Sequence, residues 1–379
     1  MNRVTIEDAL IYVMEYSGFI VLLYAILKTF KNSENKNKFT IADFVVLLLI
    51  IVVAAIRYYV GADYESYYKL YNNITQFSIQ QIWENNSVIA FNLLMYFTKK
   101  VIQFDYGIFL TTSVIIYPII YIFMLKKSEN PIQSLMLFFT LGFFNTTLNI
   151  IKQAIAMSIM LIATDNLNQK RIIRFVLLAL LATLFHETAI IIAILLIIIK
   201  NIRPSQKMLL VSIIIGIILL LLFTYLPNIL HYIPFIETEK SSVYFSNQNL
   251  GYNSTMLAKI GVAGYLIFNV IITYIIISNK EEIINQNKDN QLYINMLLVA
   301  IPFNIIALKQ RYLIRITFYF TIILIVLLPT LFKQLKNRQS RKVYILLISC
   351  MIICLFLDGI FLYRDNPYFR YQTYLNILN

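Results

Sequence analysis

Three cations beside an apolar run are the residues that point most directly to chemistry in this sequence. Lys309, Arg311 and Arg315 open that run in the string KQRYLIRITFYF. Arg311 and Arg315 are four residues apart and therefore share one face of a helix. Guanidinium groups bind phosphate oxygens through paired hydrogen bonds and stay charged at any accessible pH, so the spacing predicts a site for an anionic, phosphate-bearing ligand. The alternative is that these arginines pair with carboxylates, of which the candidates are Asp63, Glu65, Asp358 and Asp365.

A fourth cation, Arg57, ends another apolar run, in the string AAIRYYVGADYESYYKLY. Asp63 follows closely, after Gly61, a residue type that favours turns. A charged side chain costs about 2.5–3.5 kcal/mol at the centre of a membrane and less near its surface. Arg57 and Asp63 are therefore candidate functional residues. The alternative is that Arg57 snorkels to the interface and that the nearby tyrosines form an interfacial belt.

Two further positions could carry chemistry within apolar sequence. Lys152 lies at the start of a predicted helix in NIIKQAIA, where the positive end of the helix dipole would reinforce binding of an anion. His186 and Glu187 interrupt the apolar run 175–199, and a histidine at membrane depth is a functional candidate by default. The alternative for His186 is a hydrogen-bonded structural role.

Aromatic residues suggest sugar binding. The C-terminal string YRDNPYFRY, which contains Tyr368, combines aromatic rings with polar neighbours. Such groups hold sugars, because one face of a pyranose ring is apolar and its rim carries hydroxyl groups. Tyrosines in the segment 59–71 have the same character. Interfacial belting still explains most of the 27 tyrosines.

The composition places these residues in a membrane protein. Of the 379 residues, 59% are hydrophobic and 13% are charged, whereas soluble domains average about 45–50% and about 25%. The net charge of +13 agrees with basic cytoplasmic loops, and no soluble basic domain remains that could bind a nucleic acid. Cys350 and Cys354 lie one helical turn apart in an apolar run and are interpreted as core packing. The first apolar run lacks a small-residue cleavage site and is predicted to be a retained span.

The apolar runs predict an all-α polytopic membrane protein with about twelve transmembrane helices, within a range of about 11 to 14. Nine runs have near-spanning length: 8–27, 40–58, 107–125, 131–147, 207–226, 257–278, 291–308, 312–332 and 343–362. Segment 150–164 is interpreted as a tenth span. The whole chain, residues 1–379, is interpreted as a single transmembrane domain with an outer cap built from the loops 59–87 and 227–256.

Two arrangements accommodate the segments 88–104 and 175–199. In the hairpin arrangement, 88–104 lies along the outer interface and 175–199 forms two short helices with His186 at the outer tip. Lys127 is then inside and Lys152 is outside. In the crossing arrangement both segments span the membrane, which reverses the sides of these two lysines. The positive-inside rule slightly favours the hairpin arrangement. Both arrangements place the same segments outside: 59–87, 227–256, 309–315 and the tail after Tyr363.

The common enzyme motifs are missing from the sequence. It contains no recognisable catalytic triad, HExxH motif, Walker loop or GxGxxG motif after a strand. An ATP-driven pump is therefore excluded. Nothing in the sequence indicates a metal site or a cofactor.

Four strings, taken together and in order, resemble the EpsG-like branch of the Wzy-type polysaccharide polymerases over about residues 40–330: RYYVGADYESYY, NIIKQAIAMSIMLIA, LLATLFHETAII and KQRYLIRITFYF. Members of that family typically carry an Arg followed by Gly-x-Asp-Tyr. The matching residues here are Arg57, Gly61, Asp63 and Tyr64.

Two further family motifs are matched with substitutions. Lys152 and Gln153 stand where the family has Arg-Gln, a change that keeps the charge and loses the planar fork of arginine. Residues 185–189, FHETA, correspond to a Phe-His-x-Ser-Ala string, with Thr188 in place of serine.

The resemblance implies an extracytoplasmic, metal-independent glycosyltransferase of the bacterial cytoplasmic membrane, similar to the C-type glycosyltransferase (GT-C) fold and without a cofactor. Its partners would be the lipid bilayer and undecaprenyl-pyrophosphate-linked oligosaccharides, which serve as donor and acceptor. A chain-length regulator stays open as a further partner. Cations at the bond between sugar and pyrophosphate would stabilise the leaving oxygen in the transition state.

The predicted catalytic residues are Asp63, His186, Arg311 and Arg315, with either Asp63 or His186 as the general base. The predicted residues that bind pyrophosphate or sugar are Arg57, Lys152, Gln153, Lys309, Tyr64, Tyr67, Tyr312 and Tyr368.

Two other classes of protein would also place cations and a histidine in a membrane. A flippase or transporter of lipid-linked oligosaccharides should show repeated halves and a central polar cavity, and no internal repeat is evident in the sequence. A membrane O-acyltransferase would need His186 near a cytoplasmic acyl donor, which only the crossing arrangement allows.

Overall fold

The computed structural model describes residues 6–31, 37–61, 63–84, 88–230, 256–310 and 313–335, together with 345, 348–349, 352–353 and 372–373. The helices are α1 Ile6–Phe30, α2 Ile41–Ala55, α3 Tyr64–Asn73, α4 Ile79–Glu84, α5 Ile89–Ile102, α6 Gly107–Lys127, α7 Pro131–Thr140, α8 Phe143–Asn149, α9 Ile151–Asn168, α10 Ile172–Phe185, α11 Thr188–Ile199, α12 Gln206–Leu230, α13 Met256–Ser278, α14 Lys280–Gln286, α15 Asn290–Ala307, α16 Ile314–Thr321 and α17 Leu324–Leu335. Two short strands, β1 Arg57–Tyr58 and β2 Gln372–Thr373, pair antiparallel.

Several of these helices are suited to a membrane. Among the described residues, Gly107–Lys127, Ile260–Ser278 and Asn290–Ala307 are long and apolar enough to cross one, and the bent pair of α16 and α17 is a fourth candidate. The shorter apolar helices include α2, α7, α10 and α11. The predicted all-α membrane class is confirmed at this level. The number of about twelve spans, the GT-C fold and the single domain over 1–379 stay predictions.

Parts of the predicted architecture lie outside the described residues. Residues 231–255 of the predicted outer cap belong to this part of the chain, as does most of the predicted span 343–362, including Cys350 and Cys354. The other part of the predicted cap, 59–87, contains α3, α4 and a 3-10 turn at Ile74–Gln76.

The core of the bundle lies around α9, α15 and α17. Residues of all three helices are almost completely buried, for example Ala154, Ile301 and Val326. Helices that are apolar on all sides are expected in the interior of a membrane bundle. These central helices fix the positions of the polar residues at the two ends of the bundle.

One end of the bundle collects buried ion pairs, and we call it the basic end. Lys31, after α1, donates to both carboxylate oxygens of Asp43 at 2.7 and 2.9 Å, and the hydroxyl of Tyr121 donates to the same carboxylate at 2.7 Å. Asp43 also forms the capping box of α2 with Thr40, which satisfies backbone N–H groups at the start of the helix. The network fixes the start of α2 against α6.

Lys127, at the end of α6, belongs to the same basic end. Its ammonium group pairs with Asp165 near the end of α9 and, at 3.0 Å, with Asp289 immediately before α15. The start of α9 and the end of α15 therefore lie at the opposite end of the bundle, which we call the site end.

Helices α10 and α11 form a hairpin whose tip lies at the site end. α10 packs along α9 after the short connection 169–171, so it runs back toward the start of α9. α11 then returns to the basic end, where the carbonyl of Ile199 accepts a hydrogen bond from Asn295 Nδ2 at 2.9 Å. His186 lies at the tip, where its extended backbone (φ −155°, ψ 117°) interrupts the helical conformation between α10 and α11.

The contact of Lys127 bears on the two predicted arrangements. Both arrangements place residues 309–315, which follow the C-terminal end of α15, outside the membrane. Asp289, at the N-terminal end of the same helix, would then lie inside. Lys127 is bonded to Asp289 at 3.0 Å and must share its side. This agrees with the hairpin arrangement and disagrees with the crossing arrangement.

Helix α5 packs beside α3, at the site end of the bundle. The ring of Tyr67 in α3 packs edge-on against Phe91 in α5, with 5.7 Å between centroids. Further along both helices, Lys99 Nζ donates to Asn72 Oδ1 at 2.6 Å. Contacts at both ends of α5 with the same short helix fit the predicted course of 88–104 along the outer interface.

Candidate active site

Arg57 is buried at the end of α2, where β1 begins. Its side chain is 2% exposed, and its guanidinium group donates to the carbonyl of Ala54 in α2 and, at 3.3 Å, to that of Leu148 in α8. The guanidinium carbon lies 4.6 Å from the ring centroid of Phe109. A cation at the carbonyl ends of two helices is electrostatically favourable. Arg57 is directed inward and does not snorkel, so it joins two helix ends.

Gly61 explains the turn between Arg57 and Asp63. Its φ of +103° is one that glycine adopts readily, and a Cβ atom there would lie 3.1 Å from Asn149 Oδ1 and 3.2 Å from Asn149 Cα. The same Oδ1 atom accepts a hydrogen bond from the backbone N–H of Asp63 at 3.0 Å. The turn is therefore held against the end of α8.

Asp63 and Arg315 are brought together from distant parts of the sequence. Arg315 Nη2 lies 3.2 Å from Asp63 Oδ2, and their side chains are 43% and 28% exposed. The side chain of Gln153, itself buried, donates to the backbone carbonyl of Arg315. Pairing with Asp63, one of the predicted alternatives, is confirmed, but this contact uses only one of the five N–H groups of a guanidinium.

His186 is oriented by a hydrogen-bonded chain. Its Nδ1 atom lies 2.7 Å from Thr188 Oγ1, which donates to the hydroxyl of Tyr319 at 3.4 Å. Because Nδ1 is engaged, Nε2 is the ring nitrogen that a ligand would meet. The imidazole is half-buried beside the exposed Glu187.

Lys152 lies between the Asp63–Arg315 ion pair and His186. Its Nζ atom is 5.9 Å from the ring centroids of both Tyr67 and Phe91, within the range of a cation–π contact. The hydroxyl of Tyr67 is hydrogen-bonded to the backbone of Lys152, and burial followed by the charge of Asp63 raises the pKa of Tyr67 above its ordinary value. Tyr67 therefore stays protonated.

The N-terminal ends of four helices meet at this place. The N-cap residues of α3, α9, α11 and α16 are Asp63, Ile150, Glu187 and Leu313, and none of the four makes a capping hydrogen bond through its side chain. Lys152 interacts electrostatically with Asp63, Arg315 and Glu187, and His186 with Lys152 and Arg315. First-turn N–H groups and helix dipoles attract anions, so the cluster can bind a negatively charged group.

The structure thus brings together six of the predicted site residues: Asp63, Tyr67, Lys152, Gln153, His186 and Arg315. Tyr64 is buried and stacks on Phe109 at 4.3 Å, beside Arg57. Lys309 is exposed in the turn after α15, and its described contacts do not join it to the cluster. Three predicted residues lie outside the described residues: Arg311, Tyr312 and Tyr368.

Asn149 is a residue of the site that the sequence did not single out. A polar side chain at a helix end is common, and no local pattern distinguishes this asparagine from others. Its contacts with Gly61 and Asp63 depend on the approach of two segments that are far apart in the sequence.

The fold and this cluster define a helical membrane protein with a cluster of charged residues at one end of its bundle. Residues 40–375 match one family, the EpsG family. The chain belongs to the EpsG family, which indicates a polysaccharide polymerase-type function. No match to a curated protein or to a solved structure was found.

Proposed function

We propose that this protein is a polysaccharide polymerase that transfers a glycan from one undecaprenyl pyrophosphate carrier to the sugar of another, lipid-linked repeat unit. The observation that carries the proposal is the meeting of four helix N-termini with Arg315 and Lys152. This combination suits a diphosphate, which bears more negative charge than a single helix end or a single cation could compensate.

In the proposed reaction, the bond between sugar C1 and the pyrophosphate oxygen breaks and its electron pair stays on that oxygen. The acceptor hydroxyl oxygen forms the new bond to C1 and loses its proton. Negative charge grows on the leaving oxygen as C1 becomes cationic, so cations fixed at that oxygen stabilise the transition state more than the ground state. We assign this role to Arg315 and Lys152.

His186 is the better candidate for the general base. The carboxylate of Asp63 is already engaged in an ion pair with Arg315. The bond of His186 Nδ1 to Thr188 leaves Nε2 to receive the acceptor proton. Asp63 then acts as a positioning residue that holds the guanidinium group of Arg315.

In this proposal Arg57 and Tyr64 stabilise the site from the protein interior. Both are buried, and both contact Phe109. Their placement suits a role in holding the turn before Asp63 better than direct contact with a ligand.

The outer face of the membrane is the proposed side of the reaction. Lys31, Lys127 and Lys333 lie at the basic end, the last paired with Glu129 just after α6. Basic residues gather on the cytoplasmic side of membrane proteins. The site end, which is opposite, would then face outward. An O-acyltransferase gains no comparable support, because it would need His186 near the cytoplasm. A flippase gains none either, because it should show repeated halves and no internal repeat is evident in the sequence.

The test is Arg315→Ala in cells that depend on this protein for polymer. We expect loss of long polymer and accumulation of single repeat units on the lipid carrier, because removal of one oxyanion-stabilising donor typically costs about 10²–10³ in rate. Arg315→Lys should retain part of the activity, since it keeps the charge without the fork. Arg174→Ala, an exposed arginine at the start of α10, is the control. Polymer of normal length in the Arg315→Ala variant would refute the proposal.

A further inference from the structure

A line of aromatic rings leads from Arg57 toward the exterior. Phe109 lies under the guanidinium group, and Tyr64 stacks on Phe109 with centroids 4.3 Å apart. The ring of Tyr58 follows at 6.1 Å from Tyr64 and at 6.1 Å from Tyr106. The first two rings are buried, whereas Tyr58 and Tyr106 are partly exposed.

The outer part of this line is a cluster of four rings, Tyr58, Tyr68, Phe104 and Tyr106, which we call the aromatic platform. Tyr106 is at its centre, 5.2 Å from Tyr68 and 5.5 Å from Phe104 between centroids. Phe104 is 41% exposed. The ring of Tyr58 contacts Tyr64, the residue that directly follows Asp63, so the platform adjoins the turn that carries Asp63.

A polar rim borders the platform. Lys99 Nζ donates to Asn72 Oδ1 and to Asp105 Oδ1, both at 2.6 Å. Asn72 Nδ2 in turn donates to the carbonyls of Tyr68 and Asp105 at 3.1 and 3.3 Å. The carboxylate-bearing side chain of Asp105 is 59% exposed, so it is accessible to a ligand.

We propose that the aromatic platform and its rim are a binding site for the sugar rings of the glycan, next to the site of transfer. The inference rests on the proposed function. Aromatic faces cover the apolar face of a sugar ring, and carboxylate, amide and ammonium groups at the edge bond its hydroxyl groups. Rings that merely anchor a protein at the interface would not need this rim of three mutually bonded polar side chains.

The platform would hold the chain between successive transfers. A polymer retained near the pyrophosphate site can react again before it dissociates, since its effective concentration there stays high. Weakening the platform should therefore shorten the polymer while single transfers continue.

The experiment uses the purified full-length protein in lipid nanodiscs free of sugar detergents. The probe is lipid-free oligosaccharide of a few repeat units, released chemically from the polymer of the source cells, and binding is measured by saturation-transfer NMR and titration. Tyr106→Ala and Phe104→Ala should weaken binding about fivefold or more, the scale of one lost aromatic contact. Tyr106→Phe should bind nearly as the native protein. Polymer made in cells should be shorter in both alanine variants.

Trp83→Ala is the matched control, because Trp83 in α4 is a 64% exposed aromatic residue of the same outer segment but not of the platform. Equal binding and equal polymer length in Phe104→Ala and the native protein would overturn the inference, as would the same loss in Trp83→Ala. Phe104 is exposed, so its substitution is not expected to disturb folding.

The two proposals fail separately. If Arg315→Ala leaves polymer length normal while the platform variants lose oligosaccharide binding, the polymerase assignment is wrong and the sugar site stands. If Arg315→Ala abolishes polymer while the platform variants bind and polymerise normally, the sugar site is wrong and the polymerase assignment stands.

Discussion

At the scale of single residues, Gly61 combines two constraints at one position. A side chain there would meet a positive φ and the backbone and amide of Asn149 at 3.1–3.2 Å. Gly61→Ala should therefore displace Asp63 and cost about 1–3 kcal/mol of stability. We expect lower polymerisation and a lower Tm of the purified protein.

Gly142→Ala is the control for Gly61→Ala. Gly142 also has a positive φ, +78°, but a Cβ atom there meets nothing within 4 Å. It should lose some stability through the backbone alone and keep its activity. Equal loss of activity in both variants would mean that the contact with Asn149 is not what matters.

His186 is expected to act in the reaction rather than in binding. His186→Gln should lower kcat by about 10²–10⁴, the usual contribution of a general base, with KM for the lipid-linked donor unchanged. Thr188→Val, which removes the bond to Nδ1, should lower kcat by only about tenfold or less. Both constants are to be measured in steady-state assays with synthetic lipid-linked repeat units. An unchanged kcat in His186→Gln would make the histidine structural.

Much of the cluster could be predicted from residue types alone. Ionisable residues in apolar sequence are costly, so Lys152, His186 and Arg315 are recognisable as candidates, and Asp63 is recognisable from its position after Arg57 and Gly61. The inward direction of Arg57 could not be predicted, because its partners are backbone carbonyls at helix ends, which every sequence contains. The pairing of Asp63 with Arg315 was one alternative among several, and only the packing of α16 near α3 selects it.

At the scale of helices, Lys127 connects α6, α9 and α15. Its side chain is 13% exposed and lies between Asp165 and Asp289. Lys127→Ala would leave two carboxylates without their cation, and we expect a loss of about 1–3 kcal/mol, measured by reversible unfolding in mixed micelles.

Lys333→Ala provides the comparison for Lys127→Ala. Lys333 is 58% exposed and pairs with Glu129 at 2.7 Å. A surface pair of this kind contributes at most about 1 kcal/mol. An equal loss of unfolding free energy in both variants would mean that the contact of Lys127 with three helices stabilises the protein no more than a surface ion pair does.

Most helices coincide with predicted apolar runs, but the run 131–147 is divided into α7 and α8, and the run 312–332 into α16 and α17. The course of 88–104 and 175–199 was not predictable. Apolar length alone cannot distinguish one interrupted span from two short helices. The contacts of Lys127 with Asp289 and of Asn295 with Ile199 settle the direction of the neighbouring helices, and both depend on tertiary packing.

At the scale of the whole molecule, the hairpin arrangement predicts opposite sides for Glu187 and Lys126. Both are exposed, so cysteines at these positions can be labelled after Cys350 and Cys354 have been replaced. Glu187→Cys should react with a membrane-impermeant maleimide in intact cells, and Lys126→Cys only after permeabilisation. Reaction of Lys126→Cys in intact cells would favour the crossing arrangement.

The hairpin of α10 and α11 is short, with 14 and 12 residues. At 1.5 Å per residue it reaches about 21 and 18 Å, against a hydrocarbon thickness of about 30 Å. Its tip can meet water and lipid headgroups only if the bilayer thins locally around it or if both reach the tip from the outer side. In either case acyl-chain length becomes a control on turnover, with vesicles of long-chain lipids supporting slower polymerisation than vesicles of short-chain lipids.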